Sequence, residues 1–216
     1  MRYAVYFCPT PDSALHELGR DWLATTSVPG IGTDRLNVLL ADVRRYGWHA
    51  TLQAPFALAT HASYGDLHEH VTDIAARMPA FELPLQLDRL AGFLALRPCG
   101  DTHQVDALAA QCVRDLNALR APINEAAWQR RAGALDDMER ALFRQYGYPY
   151  VLERYRFHLT LSAPATAAEE QALRTYLLPK LDPVPRAYIN ALTLCREPAP
   201  GAAFEQLAIL PLRAAA

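Results

Sequence analysis

The sequence predicts an α+β fold made of two similar lobes, each an antiparallel sheet with flanking helices. Three observations predict it. The frame Arg-Tyr-x-aromatic-His-x-Thr-Leu occurs twice, at residues 45–52 and 154–161. Each copy is followed by the same coarse order: motif strand, helix, strand, strand. The strands succeed one another in a mostly hairpin-like way, as expected of antiparallel pairing. Residues 1–216 are accordingly read as one two-lobed domain. Residues 123–153 have no counterpart before the first copy and are read as a helical insertion.

The elements follow in order. Residues 3–7 form a strand, stopped by Pro9 and Pro11. Asp12 or Ser13 caps a helix to about residue 22, with Leu15, Leu18 and Trp22 on one face. Pro29, Gly30 and Gly32 make 25–33 a loop. A short helix over 36–43 precedes the first motif strand, which ends near Pro55. A helix over 64–78 is closed by Pro79. Strands at 81–87 and 93–97 are separated by Gly92, and a helix over 104–119 stops before Pro122. Residues 123–147 are helical and charged, and lead through Tyr148-Pro149-Tyr150 to the second motif strand. A helix over 167–177 and strands at 188–195 and 206–212 complete the chain.

Composition excludes several classes. With 51% hydrophobic residues the chain can bury a packed core. The 21 basic and 23 acidic residues nearly balance, unlike a protein that grips long nucleic acid through a basic surface, so no DNA partner is expected. The basic residues are almost all arginine, with Lys180 the one lysine; arginine suits bidentate phosphate recognition. Cys8, Cys99, Cys112 and Cys195 are scattered, as structural thiols of a reducing cytoplasm are. The N-terminus is strand-like rather than a secretory leader, and no apolar run is long enough for a membrane.

The repeated frame carries chemistry because side chains alternate along a strand. His49, Thr51 and Gln53 then share one face, and Tyr46, Trp48, Ala50 and Leu52 point to the core. In the second copy His158, Thr160 and Ser162 share a face, joined by Arg156 if the strand begins early enough. Imidazole titrates near neutral pH, so one histidine can take a proton from water while the other gives one to a departing alkoxide. Each Thr hydroxyl can donate to a non-bridging phosphate oxygen. That set suits opening of a cyclic phosphodiester, or its reverse, and requires no metal or cofactor. Which histidine is acid and which base is left open by a symmetric repeat.

With its paired His-x-Thr units the chain resembles the two-histidine (2H) phosphoesterase superfamily. The strings at residues 2–7, 46–56, 92–96 and 147–151 are similar to its bacterial branch of putative phosphonate metabolism proteins. The resemblance implies two lobes about a pseudo-twofold axis, with the motifs facing each other across a central groove. It also implies that His49, Thr51, His158 and Thr160 are catalytic. Gln53 stands where many relatives carry lysine, and Arg156 is the candidate replacement for that charge.

The function expected is a metal-independent phosphodiesterase, a hydrolase acting on a cyclic nucleotide or cyclic ribose phosphate. The rivals are an RNA 2′,5′-ligase or RNA-end processing enzyme, and a non-catalytic nucleotide or phosphate binder. A small phosphate-containing substrate is the expected partner, an RNA end the alternative. Tyr6, Tyr148 and Tyr150 are further candidates for substrate binding, with Trp128, Arg130 and Arg131 in the insertion placed to cover the groove. His68 and His70 diverge on a helix and make no metal pair. His16, His61 and His103 are assigned no role, and Cys8 has no base partner that would make it a nucleophile.

Overall fold

The computed structural model describes residues 1–182 and 186–214. Its strands are β1 (Arg2–Phe7), β2 (Ala50–Phe56), β3 (Phe81–Leu90), β4 (Phe93–Pro98), β5 (Leu159–Thr160), β6 (Arg186–Ile189), β7 (Ala191–Glu197) and β8 (Glu205–Pro211). They form an eight-stranded sheet in the order β6-β3-β4-β5-β2-β1-β7-β8. Every strand pair is antiparallel. The helices are α1 (Ala14–Leu23), α2 (Thr33–Tyr46), α3 (Tyr64–Arg77), α4 (His103–Asp115), α5 (Glu125–Ala132), α6 (Asp137–Tyr146) and α7 (Ala167–Leu181).

The two motif strands, β2 and β5, lie side by side at the centre, with Ala50 opposite Leu159. Outward from that seam, β1 and β4 are matched, then β7 and β3, then β8 and β6. The repeated element order exists, but its strands cross over. The hairpin β3–β4 follows the first motif and pairs with the second; β7–β8 follow the second and pair with β1 beside the first. One core of Val5, Phe7, Leu36, Leu39, Leu52, Leu67, Leu96, Leu108, Leu159 and Leu194 therefore runs under both groups.

Several sequence-based boundaries move for identifiable reasons. The helix expected at 36–43 spans Thr33–Tyr46, because Leu36, Leu39, Leu40 and Val43 keep one buried face and the chain turns only at Gly47, where φ is 71°. Tyr46 is thus a helix residue and not part of the motif strand. The apolar run expected as one strand at 188–195 is two, split at Asn190; β6 pairs with β3 and β7 with β1, at different places in the sheet. Residues 123–147, expected to be helical, form two helices, α5 and α6.

The core also fixes Trp48, as expected from its parity. Its ring is 8% exposed, and its Nε1 donates to Thr160 O at 3.1 Å. Gly19 on α1 makes room for it: a Cβ there would sit 1.8 Å from Trp48 Cε3. Gly19→Ala is therefore expected to destabilise the protein by about 1–3 kcal/mol through overpacking. A urea midpoint unchanged from wild type would contradict that packing.

Candidate active site

Each histidine is held by its own backbone in the same way. His49 Nδ1 lies 2.9 Å from Gly47 O, and His158 Nδ1 lies 2.7 Å from Arg156 O. A carbonyl only accepts, so Nδ1 carries hydrogen in both rings and the neutral form leaves Nε2 with a lone pair. Each ring also rests on an aromatic from the neighbouring strand. Tyr6 on β1 stacks on His49 with centroids 3.9 Å apart, and Phe93 on β4 packs on His158 at 5.6 Å. Burial pushes His49 down to about 4, opposed by the Gly47 carbonyl and reinforced by the charge of His158. Burial also lowers His158, opposed by the Arg156 carbonyl and reinforced by Arg97. Both imidazoles are therefore neutral near pH 7.

The two motifs brace each other. Trp48 of the first motif donates to Thr160 O, and Tyr155 of the second donates its hydroxyl to Thr51 O at 2.9 Å. Burial raises the Tyr155 pKa far above its ordinary value, which keeps the hydroxyl protonated as a donor. Trp22 Nε1 holds the next carbonyl, Leu161 O, at 2.8 Å. Tyr155→Phe is expected to cost about 1–3 kcal/mol by leaving Thr51 O unpaired. Thermal unfolding of that variant at the wild-type temperature would show the bond to be dispensable.

His49, Thr51, His158 and Thr160 all line one cleft of about 820 Å³. Tyr6 and Tyr148 line it too. Gln53 and Ser162 do not, and the reason is the same in both copies. Tyr6 pairs with Thr51 but Val5 with Gln53, so one residue of β1 faces two of β2. That bulge breaks the alternation and turns Gln53, 4% exposed, beside the core residue Val5. In the second copy Leu161 N and Ser162 N both donate to Leu94 O, at 2.8 and 3.3 Å. Ser162, 1% exposed, then bonds its hydroxyl to Ala163 O and Leu94 N instead of facing the cleft. Arg156 is also outside the lining. β5 begins only at Leu159, so strand parity does not reach Arg156, which is exposed and donates to Tyr155 O. Tyr150 is 44% exposed and meets Tyr148 edge-on rather than the cleft.

Sequence reading missed other lining residues. Tyr46, expected in the core, lines the cleft from the end of α2 and meets His49 edge-on at 6.4 Å. Arg120, in the loop after α4, lines it without belonging to any motif. Of the insertion residues expected over the groove, Arg130 and Arg131 of α5 do line it, while Trp128 stacks on Phe143 of α6 instead; Ala127 and Phe143 complete that wall. Among the described residues no group of three or more His, Cys, Asp or Glu side chains is arranged to hold a metal ion. His70 Nδ1 bonds back to Asp66 O on α3. Among the described residues no helix is long and apolar enough to cross a membrane.

The family described as "Protein of unknown function (DUF1045)" matches residues 51–205 of this chain. The chain belongs to the DUF1045 family. This DUF1045 chain is also 37% identical, over 97% of its length, to a protein of Janthinobacterium sp. (strain Marseille) named ribose 1,5-bisphosphate phosphokinase PhnN. It spans about half the length of that relative. Among solved structures it is similar to TT0787 of Thermus thermophilus, with 14% identity, 99% of each chain covered and a TM-score of 0.51, a likeness of fold. E. coli LigT, solved with NADP+, covers 98% of the DUF1045 chain and is itself covered over 97%, with 15% identity and a TM-score of 0.47.

Proposed function

We propose that this protein is a phosphodiesterase of the two-histidine type, opening a small cyclic phosphodiester on a ribose phosphate without the help of a metal. The observation that carries the reading is the pair of histidines in one cleft, each with Nδ1 committed to a carbonyl and Nε2 free, each followed by a threonine lining the same cleft. In the proposed reaction water attacks the phosphorus, and His49 Nε2 takes its proton. The ring P–O bond breaks, and the leaving alkoxide takes a proton from His158. Thr51 and Thr160 hydroxyls donate to the non-bridging oxygens. His49 is assigned the base because its burial holds it neutral down to about pH 4. His158 is assigned the acid, since an anionic phosphate beside it favours its protonated form.

The substrate class takes support from the relative's name. Opening a phosphodiester that bridges O1 and O2 of ribose 5-phosphate, with cleavage at O2, leaves a ribose 1,5-bisphosphate. That is the compound the PhnN name says the relative phosphorylates. The chain contains no Gly-x-x-x-x-Gly-Lys-Ser/Thr loop that would cradle nucleotide phosphates for a kinase step.

The test is the pH profile of kcat/KM in EDTA. A neutral base near 4 and a protonated acid below its ordinary value of about 6.5 predict a bell with its maximum on the acid side of 6.5. A flat profile from acid to alkaline pH would contradict the acid–base pair.

A further inference from the structure

Most arginines of this chain are neutralised by a carboxylate. Three that line the cleft are not. Among the described residues Arg120, Arg130 and Arg131 make no ion pair, whereas Arg2, in the same lining, is bound to Glu197 at 2.5 Å. Arg120 is half-buried, and its partners are all neutral: Ala121 O at 2.7 Å, Gln145 O at 3.0 Å and Asn117 Oδ1 at 3.4 Å. Burial alone acts on its charge, and it acts against it. Gly147, at φ 79°, lets the guanidinium approach, since a Cβ there would lie 3.0 Å from Arg120 Nη1. A partly desolvated cation with no counter-ion costs free energy that a bound anion would recover.

The position of this cluster separates it from the histidines. Arg120 bridges to Leu58, just past the end of β2, and Ala121 N donates to Ala57 O. His49 stands just before the start of β2. From His49 to Leu58 is nine residues, roughly 30 Å of extended chain less what the bulge takes up, and the arginine side chain reaches back along it by several ångströms. Arg131 lies over the Tyr148 ring at 5.4 Å and the Phe143 ring at 5.9 Å, so one face of its guanidinium is already covered by aromatic surface and its edge is left for a ligand. The helix that carries Arg130 and Arg131 buries no residue of its own. It is tied down by Trp128 stacked on Phe143 at 5.7 Å, with Arg144 over Trp128.

We infer that Arg120, Arg130 and Arg131 form a second anion subsite in the cleft, apart from the histidines, which takes a terminal phosphate carried by the substrate. The inference rests on the phosphodiesterase reading of the histidine end. It assigns side chains to the second phosphate of the ribose substrate proposed above, which that reading alone leaves without a partner in the protein. A nucleoside cyclic phosphate without that group leaves the three cations unanswered.

The probe is D-ribose 5-phosphate, titrated calorimetrically into the full chain as wild type, R130Q/R131Q, R120Q and H49A/H158A. The double arginine variant changes exposed side chains, so it keeps the test valid if R120Q, whose guanidinium ties down three neighbours, fails to fold. Saturable binding by wild type is expected. It should weaken roughly ten-fold or more in R130Q/R131Q, the loss of charge-assisted hydrogen bonds, and stay within about three-fold in H49A/H158A. No binding by wild type, equal binding by the arginine variant, or loss confined to the histidine variant would overturn the subsite. Turnover of a cyclic ribose phosphate is followed in parallel. Arginine-dependent binding without turnover would sink the hydrolytic reading and leave the subsite standing.

Discussion

Replacing His49 or His158 with alanine is expected to lower kcat by roughly 10²–10⁴ each, the ordinary yield of a positioned general acid or base. The double variant should lose little more than the worse single one. In the proposed displacement, proton removal from water and proton delivery to the leaving oxygen belong to one step, and groups that act as a unit are not additive. The loss should fall on kcat more than on KM, because the threonines and the arginine cluster still hold the substrate. Full additivity of the two losses would indicate independent roles and would contradict a concerted pair. Folding is a suitable control. His49 and His158 are half-buried, each bonded to a backbone carbonyl and packed on an aromatic ring, so the alanine variants are expected to lose some stability yet stay folded at neutral pH, which circular dichroism checks.

Acid stability carries the second large effect. The His49 pKa is about 4 in the folded chain against about 6.5 when unfolded. Between those values the unfolded state binds the extra proton, so stability rises with pH through the window and is lost as pH falls through it. Above 6.5 both states are neutral and His49 adds no pH dependence. The full span amounts to about 3 kcal/mol. His158, lowered by the same cause, acts in the same direction. Urea unfolding at pH 7 and pH 4.5 should therefore show wild type losing stability that His49→Gln does not lose. Parallel loss in both proteins would place His49 in water rather than under Tyr6.

Much of this was legible in the sequence because the frame is duplicated. Trp48, Ala50, Leu52, Leu159 and Leu161 are buried where strand parity put them. Parity failed where the strand did. The paired bulges after Thr51 and Thr160 turned Gln53 and Ser162 inward, and nothing in a local hydrophobic pattern marks an extra residue whose cause lies on the neighbouring strand. Arg156 was misplaced because β5 is two residues long. Tyr46 was misplaced because α2 runs on to the Gly47 turn. Arg120 had no pattern to reveal it. Its place depends on the chain after α4 pairing with Ala57 and Leu58, a contact between segments more than sixty residues apart. The exchange of β3–β4 and β7–β8 between the two motifs was hidden for the same reason: repeat order fixes succession, while strand partners are chosen by burial.

Whether the two histidines open a cyclic phosphodiester is decided by turnover of a panel in EDTA. The panel holds 2′,3′-cyclic nucleotides and a ribose cyclic phosphate with and without a 5-phosphate, each offered to wild type, His49→Ala and His158→Ala. Wild type is predicted to convert a ring substrate to a phosphomonoester, fastest when the second phosphate is present, and both variants to lose that activity. No conversion by folded wild type, or conversion that survives both substitutions, would contradict that opening.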